Sequence, residues 1–156
     1  MAEETHNRSK KARILFQLAR IYFLNLNDYQ KAINYCKQGI QEYEALNDIE
    51  NLAWMEATLS TVYQSTNQFD SMLIYQQRAY ARYESLKKID TDGRFLMQLA
   101  GNYAAIDNYS LALSLYQKAR IVNHSSKRWY YESQCLNGIA SIYKKMNRLD
   151  STIYYK

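Results

Sequence analysis

The chain is predicted to be all-α, an array of antiparallel helical hairpins, and three observations carry that expectation. Proline is absent and glycine occurs only 4 times in 156 residues, so little in the chain breaks helices or supplies the frequent turns of an all-β fold. Hydrophobic residues make up 47% of the chain, enough for a continuous core. Most informative, a tyrosine returns at Tyr22, Tyr63, Tyr103 and Tyr143, with separations of 41, 40 and 40 residues. Each closes one phrase: Leu18-Ala19-x-x-Tyr22, Leu59-Ser60-x-x-Tyr63, Leu99-Ala100-x-x-Tyr103 and Ile139-Ala140-x-x-Tyr143. A period of this size marks units that bury their apolar faces against their neighbours.

The phrase belongs to the first helix of each unit, expected at about 7–24, 48–66, 92–106 and 127–146. Phe69, Tyr109 and Leu149 follow the tyrosine by 6 residues, and Tyr29 by 7; each opens a second helix, at about 28–46, 70–88, 110–122 and from 150 onward. Asn27, Asn67, Asp107-Asn108 and Asn147 lie between the helices, where a left-handed residue ends a helix. Asp28, Asp70, Ser110 and Asp150 stand near the next start, able to accept from free amides. In the second helices, Ala32, Ala112 and Thr152 share a position that Met72 interrupts, and Gly39, Ala79 and Ala119 share another; small residues there let backbones approach closely. Tyr43-Glu44-Ala45-Leu46 and Tyr83-Glu84-Ser85-Leu86 recur 40 residues apart and lengthen that helix by about one turn. Polar links at 47–48, 89–92 and 123–126 join the hairpins, and Asn47 with Glu50 has the spacing of a capping box. One array spanning 1–156 is expected, with repeats at about 7–47, 48–89, 90–125 and 126–156. The last is truncated, as in a fragment of a longer protein.

Several function classes are disfavoured. No apolar run reaches the roughly 18 residues of a membrane span, and residues 1–11 are too polar for a signal peptide. A cytoplasmic location is favoured for the chain as given, with export left open because the native termini are not known from it. Cys36 and Cys135 fall in the first and fourth repeats, too far apart for a disulfide, and are expected to be buried thiols. Neither has a CxxC partner or a histidine at ligand spacing, so no metal and no cofactor are expected. His124, beside Ser125 and Ser126, lacks the fixed third partner and oxyanion donor of a nucleophilic site; His6 lies near the terminus. A non-enzymatic role follows. The net charge of +5 permits nucleic-acid binding as an alternative, but Arg8/Lys10/Lys11/Arg13, Lys87-Lys88, Lys127-Arg128 and Lys144-Lys145 are scattered, whereas a binding track is contiguous.

The repeated phrases resemble the tetratricopeptide repeat family. Repeat three matches best, through Leu96, Leu99, Ala100, Tyr103, Tyr109, Ala112, Tyr116 and Ala119. The period of 40 exceeds the family's usual length of about 34 and resembles longer variants in bacterial regulatory and sensor proteins. The family's proline near the repeat end is missing, and Glu56 stands at a normally bulky apolar position, where Trp54 and Met55 are expected to compensate.

This resemblance implies a right-handed superhelix whose first helices line a concave groove. It further implies a protein-protein interaction scaffold that binds a peptide or partner segment there, as the sensing or docking module of a bacterial signalling regulator. The implied lining is Arg13, Phe16, Arg20 and Phe23, then Trp54, Ala57, Thr61 and Gln64. The later repeats add Arg94, Met97, Gly101 and Ala104, then Gln134, Asn137, Ser141 and Lys144. Arg13, Arg20, Arg94 and Lys144 are cationic and no carboxylate joins them, which favours an acidic partner. The lysine-asparagine pair of clamps for chaperone tails is absent from Phe16/Arg20, Ala57/Thr61, Met97/Gly101 and Asn137/Ser141. The truncated end predicts self-association or fraying after Arg148. The recurring tyrosines are assigned to the hairpin seam.

Overall fold

The computed structural model describes residues 2–87 and 91–154, with side chains placed for 3–87 and 91–147. Its helices are α1 (Ala2–Leu24), α2 (Tyr29–Ala45), α3 (Ile49–Ser65), α4 (Phe69–Ser85), α5 (Gly93–Ala105), α6 (Tyr109–Ser125) and α7 (Trp129–Tyr154). There is no strand among the described residues.

The turns reveal a finer period than the tyrosines alone. Asn27, Asn47, Asn67, Lys87, Asp107 and Lys127 all adopt positive φ, between 52° and 59°, at a constant spacing of 20 residues. In five of these turns the following amide donates back across the helix end: Asp28 to the Tyr22 carbonyl at 2.9 Å, Asp48 to Tyr43 at 3.1 Å, Gln68 to Tyr63 at 2.9 Å, Asn108 to Tyr103 at 3.0 Å and Arg128 to Asn123 at 2.8 Å. This Schellman-type closure occupies carbonyls that a helix end leaves free. The marker tyrosine therefore provides the carbonyl on which the turn closes, and the same turn ends second helices as well as first ones.

Several expected boundaries move for that reason. Asn47 is the left-handed residue ending α2 and forms no capping box with Glu50; the cap of α3 is Asp48, which accepts from the Asn51 amide at 3.2 Å. Asp28 caps α2 as expected, accepting from Lys31 N at 3.1 Å. Asn108, not Ser110, caps α6, and Gln68 precedes α4 without a side-chain cap bond, so Asp70 lies in the first turn instead. Helix α6 runs through the expected link as far as Ser125. Helix α1 begins before residue 7, with Glu3 and Glu4 in its first turn, where carboxylates oppose the helix dipole.

The chain divides into two compact units, Met1–Lys88 and Ile89–Lys156. In the first, α1 pairs with α2, α3 pairs with α4, and α3 also packs on α2. Its hairpin seams hold stacked tyrosines, Tyr22 on Tyr35 at 5.3 Å and Tyr63 on Tyr75 at 5.7 Å between centroids. Where α2 meets α3, Gly39 leaves the space that Met55 fills. Burying a side chain of this size stabilises by about 1.5–3 kcal/mol. In the second unit, α5 pairs with α6 and α7 packs on α6. Asn123 replaces the tyrosine at the end of α6; it is buried between Gly93, where any side chain would collide with it, and Cys135, whose sulfur lies 3.9 Å from its amide nitrogen. Both cysteines are buried free thiols, and burial pushes Cys36 up to about 12.

The fourth unit departs from the expected hairpin. Helix α7 continues through Asn147 to Tyr154 instead of turning there. Asparagine is only mildly unfavourable inside a helix, so its presence at 147 does not force a turn. The side chains of Leu149, Asp150 and Thr152, and residues 88–90, lie outside the described residues.

Candidate partner-binding faces

The inferred groove residues occupy one face of α1 and α3 in the first unit. Arg13 and Arg20 are exposed, with Phe16 and Phe23 half-buried beside them. The Arg20 guanidinium sits 5.9 Å from the Phe16 ring centroid, and Phe23 meets Tyr29 at 6.2 Å. On α3, Trp54 is half-buried with its ring edge against Tyr83 at 6.2 Å, so much of its surface serves packing. Thr61 Oγ1 donates to the Ala57 carbonyl at 3.1 Å. Ala57 itself is fully buried, contrary to expectation; its single methyl group does not reach past Trp54 and Thr61, one turn away on either side. Gln64 is half-buried.

In the second unit the corresponding residues lie on α5 and α7. Arg94 and Met97 follow the α5 cap, and Arg94 Nε lies 3.8 Å from Asp92 Oδ1. Gly101 and Ala104 are half-buried, and Tyr116 Oη approaches Gly101. Gln134 is half-buried, while Asn137, Ser141 and Lys144 are exposed. No carboxylate belongs to either set.

Glu56 is compensated by a residue that sequence inspection missed. Its carboxylate is fully buried and accepts from Arg82 Nε on α4 at 2.8 Å, while its second oxygen has no hydrogen-bond partner among the described residues. Burial pushes the Glu56 carboxyl above the usual range, and Arg82 opposes that shift. The pair spans 26 residues and two helices. The only sequence signal was the equivalent position in α2, Glu42, which holds the reverse charge and pairs with Arg8 and Lys11 of α1. Those contacts also engage half of the N-terminal basic cluster.

The exposed flank of α1 was likewise missed. Ile14 is 60% exposed, Ile21 45% and Leu24 60%. Below them Lys10, Arg13, Ile14, Gln17 and Leu18 line a shallow depression.

His124 Nδ1 lies 3.1 Å from both carboxylate oxygens of Glu132, with its ring edge-on to Trp129 at 5.3 Å. The hydroxyl of neighbouring Ser125 donates to the Ile121 carbonyl at 3.0 Å and so points away from any base. Among the described residues, no three His, Cys, Asp or Glu side chains gather as metal ligands, and no helix is long and apolar enough to cross a membrane.

The family model described as Tetratricopeptide repeat matches residues 12–46, which covers most of the α1/α2 hairpin. No curated protein matches the chain. Repeats of this family generally mediate protein-protein interactions, and their folds are typically non-enzymatic scaffolds. The α1/α2 hairpin is thus similar to a tetratricopeptide repeat.

Proposed function

We propose that this chain is a docking module whose first helices bind an acidic, extended protein segment, on the long-period pattern of bacterial regulatory proteins. The observation that carries the reading is the inferred lining of α1 and α3, in which Arg13 and Arg20 are exposed, Phe23, Trp54 and Thr61 are half-buried, and no member is a carboxylate. Aromatic and arginine side chains are the usual anchors of protein interfaces, and a cationic face selects acidic ligands and speeds their encounter.

Fluorescence anisotropy with a proline-containing acidic peptide, unable to form a helix, tests this reading against its glutamine-substituted copy. The acidic peptide is expected to bind, to weaken with added salt, and to lose about tenfold in affinity with Arg20→Glu. Equal binding of the glutamine copy, or indifference to Arg20→Glu, refutes the reading.

A further inference from the structure

We propose a second docking surface, on the flank of α1 that bears Ile14 and Ile21, which receives an acidic amphipathic helix of a partner protein. Helices α1 and α3 are equivalent elements, offset by the 41 residues that separate Tyr22 from Tyr63. By that offset Ile14, Leu18 and Ile21 correspond to Met55, Leu59 and Val62. All three of the α3 residues are 0% exposed, and α3 packs on α2 with Met55 against Gly39. On α1 two of the matching residues are uncovered, Ile14 at 60% exposed and Ile21 at 45%, and Leu18 is half-buried. Successive helical positions turn by about 100°, so Lys10, Ile14, Gln17 and Ile21 share one side of α1. The buried side, with Ala12, Leu15 and Ala19, is opposite. These three are at most 6% exposed, so the Ile14 side turns away from the packed side of α1.

Shape and charge identify the occupant. The equivalent flank of α3 is covered by a helix, so a helix is the element this surface fits. From Arg8 to Leu24, α1 carries Arg8, Lys10, Lys11, Arg13 and Arg20 and no acidic residue. Arg8 and Lys11 are held by Glu42. Lys10 and Arg13 border the depression beside Ile14, and among the described residues no carboxylate forms an ion pair with either. A partner helix with carboxylates flanking an apolar stripe satisfies both features. A second copy fits less well: the exposed Leu136, Tyr143 and Met146 of α7 are accompanied by Lys144 and Lys145, of the same sign as the α1 rim.

The test uses the full chain and two capped peptides of about 18 residues, long enough to form a helix. Both carry the same leucine stripe; one is flanked by glutamate and the other by lysine. Anisotropy titrations are expected to show binding of the glutamate peptide, and binding at least about tenfold weaker for the lysine peptide. Ile14→Glu and Ile21→Glu, each at an exposed position and checked for an unchanged thermal melt, are expected to weaken the glutamate peptide by a similar factor. Ile121→Ala, at an exposed position of α6, is expected to leave it unchanged. No binding, equal binding of the two peptides, or indifference to both isoleucine variants overturns the proposal. So does concentration-dependent dimerisation in sedimentation that Ile14→Glu abolishes, which assigns the flank to a second copy. The proline-containing peptide reports on the other face, so either surface can fail alone.

Discussion

Helices α1 and α3 open the two hairpins of one unit and carry the same phrase, yet ten residues of α3 are buried while those of α1 are Ala12, Leu15 and Ala19. The difference lies in what covers them. Helix α3 is packed between α2 and its own partner α4, whereas α1 lies on α2 with a flank of isoleucines uncovered. Apolar content at a repeated position is thus a property of the repeat, and burial is a property of the neighbour.

The largest expected effect comes from the covered side. Met55→Ala empties a fully buried site beside Gly39 and is expected to cost about 3 kcal/mol in urea denaturation. A cost below about 1 kcal/mol would mean that the α2/α3 contact is looser than described. Next, Arg82→Ala leaves the buried Glu56 carboxylate without its partner. We expect a loss of about 2 kcal/mol at neutral pH, limited because Glu56 can take up a proton instead.

Glu56→Leu copies Leu96, found 40 residues later, and is expected to be neutral or to stabilise by about 1 kcal/mol. It also alters the pH response. Because the folded pKa of Glu56 is raised, the folded chain retains a proton that the unfolded chain releases. Stability contributed at this site is therefore present below the ordinary glutamate pKa and falls as pH rises through the raised value. Melting curves across that window should flatten in Glu56→Leu, and an unchanged slope would show that another group controls it. The smallest effect is on the uncovered side: Ile14→Ala, at the α1 position equivalent to Met55, is expected to change stability by less than about 0.5 kcal/mol. A larger loss would place Ile14 in a buried contact.

Much of this architecture was legible in the tyrosine phrase, because a seam residue must return whenever the seam does. Asn27, Asn67 and Asp107 were readable as left-handed turn residues from their chemistry. Lys87 and Lys127 were not, since lysine has no such preference; only the 20-residue spacing points to them. The run of α7 through Asn147 escaped notice because the same residue type that ends a helix elsewhere is tolerated within one. The Glu56–Arg82 pair joins residues 26 apart on different helices, beyond the reach of any local pattern. Ala57 and Ile14 were misjudged or overlooked for one shared reason: periodicity reports which positions face a neighbour, not whether the neighbour is present. Of the inferred binding face, the cationic character was readable directly, while the packing of Trp54 on Tyr83 required the structure.

Amide chemical-shift mapping of the full chain during titration with the glutamate-flanked peptide tests most directly whether the uncovered copy of a repeated surface is the one that binds. The account predicts perturbations concentrated between Lys10 and Leu24 on α1, with Leu52 to Val62 of α3 silent. Shifts centred on α3, with α1 unperturbed, would contradict it.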